Sequence, residues 1–127
     1  MIDKGPLTGI KVIDLTAMVS GPVATMMLGD QGADVIKIEP LSGELMRSVG
    51  APNNGMTTSF LCSNRSKRSL TINLKDIEGI KIIKKLIKNA DVIVQNFRPG
   101  TMKRMGLSYE EVEKINSNII YTSISGF

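Results

Sequence analysis

The stretch IKVIDLTAMVSGPVATMMLGDQGADVIKIE, residues 10–39, decides the fold because it contains a complete strand–helix–strand unit. Two runs rich in β-branched residues, Ile10–Leu15 and Asp34–Glu39, predict buried strands. The Gly-Pro pair at residues 21–22 opens a helix between them, since proline at the first helical position loses no hydrogen bond. Gly32 closes that helix in a left-handed conformation. The stretch therefore predicts two parallel strands joined by a helix.

Three further runs predict strands later in the chain. Asp91–Asn96 and Ile119–Ser125 are rich in β-branched residues and predict strands. Ser69–Leu74 alternates polar and apolar residues, which is typical of an edge strand or a half-exposed one. Together with the first unit, these runs give five strands separated by helical segments.

Two further helices are marked by their capping residues. Asp76 caps a helix with an aliphatic face. That face consists of Ile80, Ile83, Leu86 and Ile87. Ser108 and Glu111 form a capping box that starts another helix, which runs to about Ile115.

Strands that alternate with helices at this spacing predict an α/β fold with a Rossmann-like parallel sheet and helices on both faces. A chain of 127 residues allows one compact domain, so residues 1–127 are expected to form a single Rossmann-like domain. The exception to the alternation is Pro40–Lys67, a long stretch with several glycines and little periodicity. A loop of that length in a small domain is usually functional or packed against another part of the protein.

Composition excludes several classes of protein. The chain has 16 Lys and Arg against 12 Asp and Glu, and its net charge of +4 favours an anionic ligand only mildly. Nucleic acid is not the expected partner, because the two Tyr and three Phe do not interleave with a basic run. No segment has the roughly 18 consecutive apolar residues of a membrane helix, and the lone Cys62 fits a reducing compartment. A soluble, cytoplasmic protein without membrane or nucleic-acid partners is predicted.

Ligands of open parallel sheets bind beyond the carboxyl ends of the strands. After the first strand, TAMVSGP (residues 16–22) leads into a helix start, which is only a weak signal for phosphate binding. After the strand Asp91–Asn96, the segment NFRPGTMKRMG (residues 96–106) combines an amide, a rigid Arg-Pro-Gly corner and a basic stretch. A turn with solvated charges explains that segment equally well from spacing alone.

A second basic cluster flanks the expected edge strand. It consists of Arg65, Lys67, Arg68 and Lys75. Two basic clusters at opposite edges of one sheet suit a ligand with several separated phosphates, since each charge-assisted hydrogen bond is worth roughly 1.5–3 kcal/mol. The chain has no His, which excludes a histidine-based triad and a zinc site of the usual ligands. No set of residues forms a reaction centre, so no catalytic or metal-binding residue is predicted.

Seven motifs follow one another along the chain from about Leu7 to Phe127. They are GIKVIDLT, GP, GADVIKIEP, NRSKRSLTINLK, ADVIVQNFRPG, MGLSYE and SISGF. This series closely resembles the opening of the class III CoA-transferases of the CaiB/BaiF type, a family that includes formyl-CoA transferase, carnitine CoA-transferases and α-methylacyl-CoA racemase. The resemblance implies a Rossmann-like, CoA-binding N-terminal part of a larger two-domain CoA-transferase fold.

Carried over by position, the resemblance implies CoA-contacting residues on three loops. The first loop would place Val19 and Ser20 beside CoA. The exposed strand end would lie beside the nucleotide through Ile72, Asn73, Leu74 and Lys75. The adenosine or pantetheine portion would be lined by Asn96, Phe97 and Arg98, with Arg104 reaching a phosphate.

Two positions depart from the family pattern. Val19 stands where formyl-CoA transferase has a Gln, which argues against specificity for oxalate or formate. Pro40 stands where some members have an Arg that could contact the nucleotide. In the transferases an Asp beyond the SISGF motif attacks the acyl-CoA thioester and forms an aspartyl-CoA thioester. The resemblance therefore implies an N-terminal portion that is catalytically incomplete, without the second domain and the returning C-terminal segment.

The resemblance also implies substrates and an assembly. The expected substrates are an acyl-CoA and a carboxylic acid acceptor, and the full-length protein is expected to be a homodimer of interlocked subunits. Two alternatives stay open. One is an α-methylacyl-CoA racemase-like member of the same family, and the other is a stand-alone, non-catalytic α/β binding module that uses no CoA.

Overall fold

The computed structural model describes residues 5–126 of the chain. It confirms the strand–helix–strand order of the opening unit as β1 (Lys11–Leu15), α1 (Ser20–Asp30) and β2 (Asp34–Glu39). The predicted helix start is wrong by two residues, because α1 begins at Ser20 and Pro22 is its third residue and not its first. The remaining elements are α2 (Thr58–Asn64), β3 (Lys67–Thr71), α3 (Ile77–Ile87), β4 (Val92–Gln95), α4 (Thr101–Arg104), α5 (Tyr109–Ile115) and β5 (Ile120–Ser123). Residues 1–4 and Phe127, which the predicted domain includes, lie outside the described residues.

The five strands form one parallel sheet in the order β3-β2-β1-β4-β5. β1 lies at the centre, where Ile13 pairs with Ile36 of β2 and with Ile93 of β4. The outer strands are β3 and β5, so the prediction of an edge strand beside the second basic cluster is confirmed. This strand order matches the first five strands of the Rossmann order 3-2-1-4-5-6. The predicted α/β class and parallel sheet are therefore confirmed.

Successive side chains of a strand point to opposite sides of the sheet, so each face presents its own apolar side chains. Helices cover both faces. One face forms a core with α3, α4 and α5 that includes Ile13, Ile83, Ile93 and Val112. On the opposite face Val12 and Val35 pack against Leu28 of α1. The prediction of helices on both faces is therefore confirmed.

The predicted helix ends are present with their hydrogen bonds. The Asp76 side chain accepts a hydrogen bond of 2.9 Å from the Glu78 backbone N–H at the start of α3. Ser108 and Glu111 form both bonds of the capping box at the start of α5. Gly32 has a φ of 98°, the left-handed conformation expected beyond the last turn of α1. Local sequence signals thus set these boundaries.

The segment Pro40–Lys67 differs from the expected long loop. It contains a 3-10 helix at Leu45–Arg47 and the helix α2 at Thr58–Asn64. The Thr57 side chain caps α2 by accepting a hydrogen bond of 3.1 Å from the Phe60 backbone N–H. Because α2 has only seven residues, it is too short to show a helical repeat in the sequence.

The edge strand β3 spans Lys67–Thr71, and the predicted range Ser69–Leu74 is wrong at both ends. Ile72 continues the pairing for one more residue, since its N–H donates to the Glu39 carbonyl at 2.9 Å. The chain then turns away from the sheet and leads into α3. The residues that follow Thr71 therefore form a turn beside the sheet.

The helices of the described residues are short. The longest, α1 and α3, have 11 residues each, whereas a membrane-spanning helix needs about 20. In this part of the chain, no helix has the length and apolar character to cross a bilayer.

Candidate functional site

The loops after the strands meet at one edge of the sheet, here called the carboxyl edge, because all five strands run in the same direction. β1 leads into residues 16–19, β2 into residues 40–44, β3 into residues 72–76 and β4 into residues 96–100. Three neighbouring cavities open between these loops, and nine of the ten predicted CoA-contacting residues line them.

The first cavity has a volume of about 850 Å³ and lies between the turn 72–76 and α4. Six predicted residues line it: Ile72, Asn73, Leu74, Lys75, Phe97 and Arg104. The aliphatic side chains of Leu41, Ile77 and Ile80 complete its walls. The cavity therefore combines an apolar lining with two cations.

Both cations of the first cavity are exposed. The Lys75 backbone N–H donates to the Asn73 side-chain oxygen at 3.1 Å, which fixes the turn that carries the lysine. The Arg104 guanidinium donates to the Thr101 hydroxyl at 2.9 Å and lies over the start of α4. Among the described residues, neither cation takes part in an ion pair. Their charges are therefore available to an anionic ligand.

The second cavity adjoins the first and has a volume of about 500 Å³. Four residues line both cavities: Pro40, Ser42, Leu74 and Phe97. The second cavity extends under the ends of β1 and β2, where Leu15, Ile38 and Glu44 line it. The two cavities thus lie side by side along the carboxyl edge.

The third cavity has a volume of about 630 Å³ and lies on the other side of the β1–α1 loop. Four predicted residues line it: Ser20, Asn96, Phe97 and Arg98. Phe97 lines all three cavities, so they lie next to one another around its side chain. The amide of Asn96 is hydrogen-bonded on both sides to the backbone of Ala17.

Val19 lies apart from the other predicted residues. It lines a separate cavity of about 270 Å³ between α1 and α2, together with Val23, Met46 and Cys62. Its side chain is 56% exposed. The structure therefore does not bring Val19 into the three cavities at the carboxyl edge.

The second basic cluster is not a set of free cations, which corrects the expectation from the sequence. Arg65 lies 2.6 Å from a carboxylate oxygen of Asp30, and Arg68 lies 2.7 Å from one of Asp34. Both pairs are exposed to solvent and lie away from the three cavities. Of the four cations in that cluster, Lys75 alone lines the first cavity.

Lys67, the remaining cation of that cluster, is buried beneath α1 and α2. Its Nζ donates to Asp14 Oδ2 at 2.9 Å, to the Pro22 carbonyl at 2.8 Å and to Asn64 Oδ1 at 2.9 Å. The two side chains of the ion pair are 2% and 0% exposed. Burial lowers the pKa of Lys67, and the neighbouring Asp14 carboxylate opposes that effect. All three donors of Lys67 are used inside the protein, so it is a structural residue.

A second buried ionic network lies beneath the loop after β2, and no prediction included it. The Nζ of Lys37 lies 2.6 Å from Glu44 Oε2, and these side chains are 1% and 3% exposed. The sequence carries one signal for this network. Lys37 and Glu39 alternate with Ile36 and Ile38 in β2, which places two charges on one face of a buried strand.

Glu39 anchors the loop after β2 to the sheet. Both of its oxygens accept hydrogen bonds from the Arg47 guanidinium, at 2.6 and 2.7 Å. Burial raises the pKa of Glu39, but hydrogen bonds from Arg47, from the Ser69 hydroxyl and from the Glu44 backbone outweigh burial and lower it to about 2. Glu39 is therefore ionised at neutral pH and holds residues 44–47 against the sheet.

The chemistry available at the carboxyl edge is that of binding. The rim offers Lys75, Arg98 and Arg104 to an anion, and the walls offer aliphatic groups and Phe97 to an apolar part of the ligand. Within residues 5–126, no three His, Cys, Asp or Glu side chains are grouped as metal ligands.

The fold and the site together define a Rossmann-like α/β protein with a cation-bearing cleft at the carboxyl edge of its sheet. The sequence profile of CoA-transferase family III matches residues 7–127. The chain belongs to this family, and the predicted family membership is confirmed.

Two named relatives and one solved structure are similar to nearly the whole chain. Succinyl-CoA:glutarate CoA-transferase of Mus musculus is 48% identical over 124 residues, which cover 96% of this chain and 28% of that protein. Acetyl-CoA:oxalate CoA-transferase of Acetobacter aceti is 46% identical over 125 residues, which cover 98% of this chain and 32% of that protein. The crystal structure of a CAIB/BAIF family protein from Brucella suis has a TM-score of 0.93 at 38% identity, over 98% of this chain and 34% of that one. This chain thus spans only 28–34% of the length of these three relatives.

Proposed function

We propose that this chain forms the CoA-binding domain of an acyl-CoA:carboxylate CoA-transferase. One observation carries the proposal: Lys75 and Arg104 line the same cavity of about 850 Å³. Lys75 follows β3 and Arg104 follows β4, and two other strands separate these in the sheet. Two cations from distant parts of the sheet suit a ligand that carries more than one phosphate.

The cavities match the two ends of CoA in chemical character. CoA has a diphosphate and a ribose phosphate at one end and a long amide-containing arm at the other. The first cavity, with its two cations, suits the nucleotide end. The second cavity is lined largely by apolar groups such as Leu15, Ile38 and Phe97, and it suits the arm. Its position beside the first cavity, with four shared lining residues, supports one extended ligand.

Transfer of CoA between carboxylic acids needs a carboxylate nucleophile that attacks the thioester. Two carboxylates of the described residues line the first two cavities, and both have other roles. Glu44 is ion-paired with Lys37 at 2.6 Å, and Asp76 caps α3. We therefore assign no catalytic residue to this chain and propose that the nucleophilic Asp lies elsewhere in the protein.

The substrate classes, the assembly and the location belong to the same proposal. The names of the similar proteins, succinyl-CoA:glutarate and acetyl-CoA:oxalate CoA-transferase, each pair an acyl-CoA donor with a carboxylic acid. They support an acyl-CoA and a carboxylic acid acceptor as the substrates here. We further propose a homodimer for the full-length protein and a cytoplasmic location.

Calorimetry with CoA and with pantetheine, which lacks the phosphates, tests the proposal. The full chain should bind CoA more tightly than pantetheine. Lys75→Ala and Arg104→Ala should each raise the Kd for CoA about tenfold or more, since a charge-assisted hydrogen bond is worth roughly 1.5–3 kcal/mol. Their effect on pantetheine should be small. In an active transferase that contains this chain, both substitutions should raise the KM for the CoA thioester.

Lys88→Ala is the matched control, because Lys88 is an exposed cation at the far end of α3 that does not line the first cavity. It should leave the Kd for CoA unchanged. Equal effects of all three substitutions would show that CoA binds only through nonspecific attraction between a basic protein and an anion. Failure of the unchanged chain to bind CoA would refute the proposal and favour a binding module for another ligand.

A further inference from the structure

Asn96 and the β1–α1 loop form a paired contact at the wall between the second and third cavities. The Ala17 backbone N–H donates to Asn96 Oδ1 at 2.9 Å, and Asn96 Nδ2 donates to the Ala17 carbonyl at 2.8 Å. One side chain therefore satisfies both polar groups of a single residue that lies 79 positions away in the sequence. The Asn96 side chain thus gives the Ala17 N–H and carbonyl the two hydrogen bonds that a neighbouring strand would provide inside the sheet.

The neighbouring residues of the loop are held from the opposite side. The Met18 backbone N–H donates to Glu44 Oε1 at 2.8 Å. Lys37 Nζ donates to the Thr16 carbonyl at 3.0 Å and lies 2.6 Å from the other oxygen of Glu44. Lys37 and Glu44 are both almost fully buried. Asn96, Glu44 and Lys37 are together called the loop bracket.

The loop needs this support because its backbone is strained. Met18 has a φ of 70°, the left-handed region that residues with a side chain rarely adopt. A conformation of this kind persists only when the surrounding structure determines it. The loop bracket provides hydrogen bonds to residues 16, 17 and 18, which are the strained residue and the two before it.

We propose that Asn96 is a positioning residue for the CoA site, acting through the loop bracket. This inference rests on the proposed function. Thr16 and Ala17 line the second cavity, and Ser20 lines the third, so the shape of both cavities depends on where this loop lies. A loop that is already ordered costs the ligand no ordering entropy on binding. Asn96 supports CoA binding through Ala17 and not through a direct amide contact.

Asn116 provides a matched control for Asn96. Its Nδ2 donates to two backbone carbonyls, those of Ile87 at 3.0 Å and Ala90 at 2.7 Å. Asn116 lines none of the three cavities. Its Oδ1 also accepts a hydrogen bond of 3.2 Å from the Asn118 backbone N–H. Asn116→Ala therefore removes three hydrogen bonds between an Asn side chain and the backbone and Asn96→Ala removes two, but only Asn96→Ala releases the loop.

The experiment compares the unchanged full chain with both variants by amide hydrogen exchange and by calorimetry with CoA. Both variants should lower the thermal midpoint, Asn116→Ala at least as much as Asn96→Ala because it removes one more hydrogen bond. Only Asn96→Ala should speed exchange at Ala17 and Met18, and only Asn96→Ala should raise the Kd for CoA, each by roughly tenfold or more. Asn96→Asp keeps the acceptor for the Ala17 N–H but replaces the donor to the Ala17 carbonyl with an oxygen, so it should also speed exchange at Ala17 and Met18, and it covers the case in which the alanine variant does not fold.

The possible results distinguish the positioning role of Asn96 from the proposed CoA-binding function. Equal protection of Ala17 and Met18 in the Asn96 and Asn116 variants would overturn the positioning role. A weaker Kd with unchanged protection would also overturn it, because Asn96 would then contact CoA directly. Absence of CoA binding to the unchanged chain would refute the proposed function, while the exchange rates alone would still decide whether Asn96 holds the loop.

Discussion

Replacement of Lys67 by methionine tests the assignment of this lysine as a structural residue. Its Nζ has three hydrogen-bond partners at 2.8–2.9 Å and is paired with Asp14, which is fully buried. Methionine has a similar volume but leaves the Asp14 carboxylate without its cation. Loss of one member of a buried ion pair costs about 3–5 kcal/mol.

Arg68 is the matched control, because it lies next to Lys67 on β3 and also forms an ion pair with an Asp. The side chains of the Arg68–Asp34 pair are 67% and 46% exposed, so the pair is solvated. Exposed pairs contribute about 0–1 kcal/mol. Small domains have about 5–15 kcal/mol of stability in total. Lys67→Met should therefore remove a large share of the stability, and Arg68→Met a negligible one.

Urea unfolding followed by far-ultraviolet circular dichroism measures the difference. Unfolding free energies of small proteins fall by about 1–3 kcal/mol per molar urea, so the midpoint should drop by roughly 2 M for Lys67→Met and by less than about 0.5 M for Arg68→Met. Adding Asp14→Asn to Lys67→Met should restore about half of the loss, since it removes the stranded charge. Equal shifts for the two single variants would refute the structural role and make Lys67 a candidate ligand contact again.

Three further perturbations test other parts of the fold. The pKa of Glu39 is 4.5 when unfolded and about 2 when folded, so its ionised form contributes about 3 kcal/mol that is complete above the higher value and lost as pH falls toward the lower one. Glu39→Gln should abolish this loss in urea midpoints measured from neutral to acid pH, and an unchanged acid profile would assign the sensitivity to other carboxylates. A Cβ added at Gly79 would overlap the Asn73 carbonyl oxygen, so Gly79→Ala should destabilise by about 1–3 kcal/mol; a raised thermal midpoint, as in an exposed helix, would contradict that packing. Ser108→Ala should cost about 1 kcal/mol by removing the capping box, and an unaltered thermal midpoint would show that α5 does not depend on its cap.

The parts of the fold that follow from local chemistry could be predicted from the sequence. Gly32 closes α1 because a left-handed residue is needed there, and Ser108 starts α5 because its hydroxyl caps the first turn. The parallel sheet follows from the alternation of such helices with β-branched runs. These signals lie within a few residues of the structure they determine.

Features that depend on partners distant in the sequence could not be predicted. Lys67 appeared to be one of four surface cations, but its carboxylate partner Asp14 lies 53 residues earlier. The helix α2 has seven residues and is held by packing against α1 and the 3-10 helix, so it has no repeat of its own. Such features depend on tertiary contacts and not on local sequence patterns.

The candidate site was predicted in position more than in detail. Parallel strands bring their following loops to one edge, which is why residues as distant as Lys75 and Arg104 line one cavity. The order of strands and helices does not tell which polar groups at that edge are already hydrogen-bonded within the protein. The amide of Asn96 and the carboxylate of Glu44 face the same loop, and both accept hydrogen bonds from its backbone, a pairing that no local sequence pattern predicts.

The two outer strands of the sheet differ in their resistance to further pairing. β3 includes the exposed Arg68. β5 has no charged residue, and its Ile120 is 62% exposed. Charge on an edge strand discourages edge-to-edge aggregation, and an uncharged aliphatic edge permits it. An additional strand would therefore meet less opposition beside β5 than beside β3, and a lysine in place of Ile120 should protect that side against self-association.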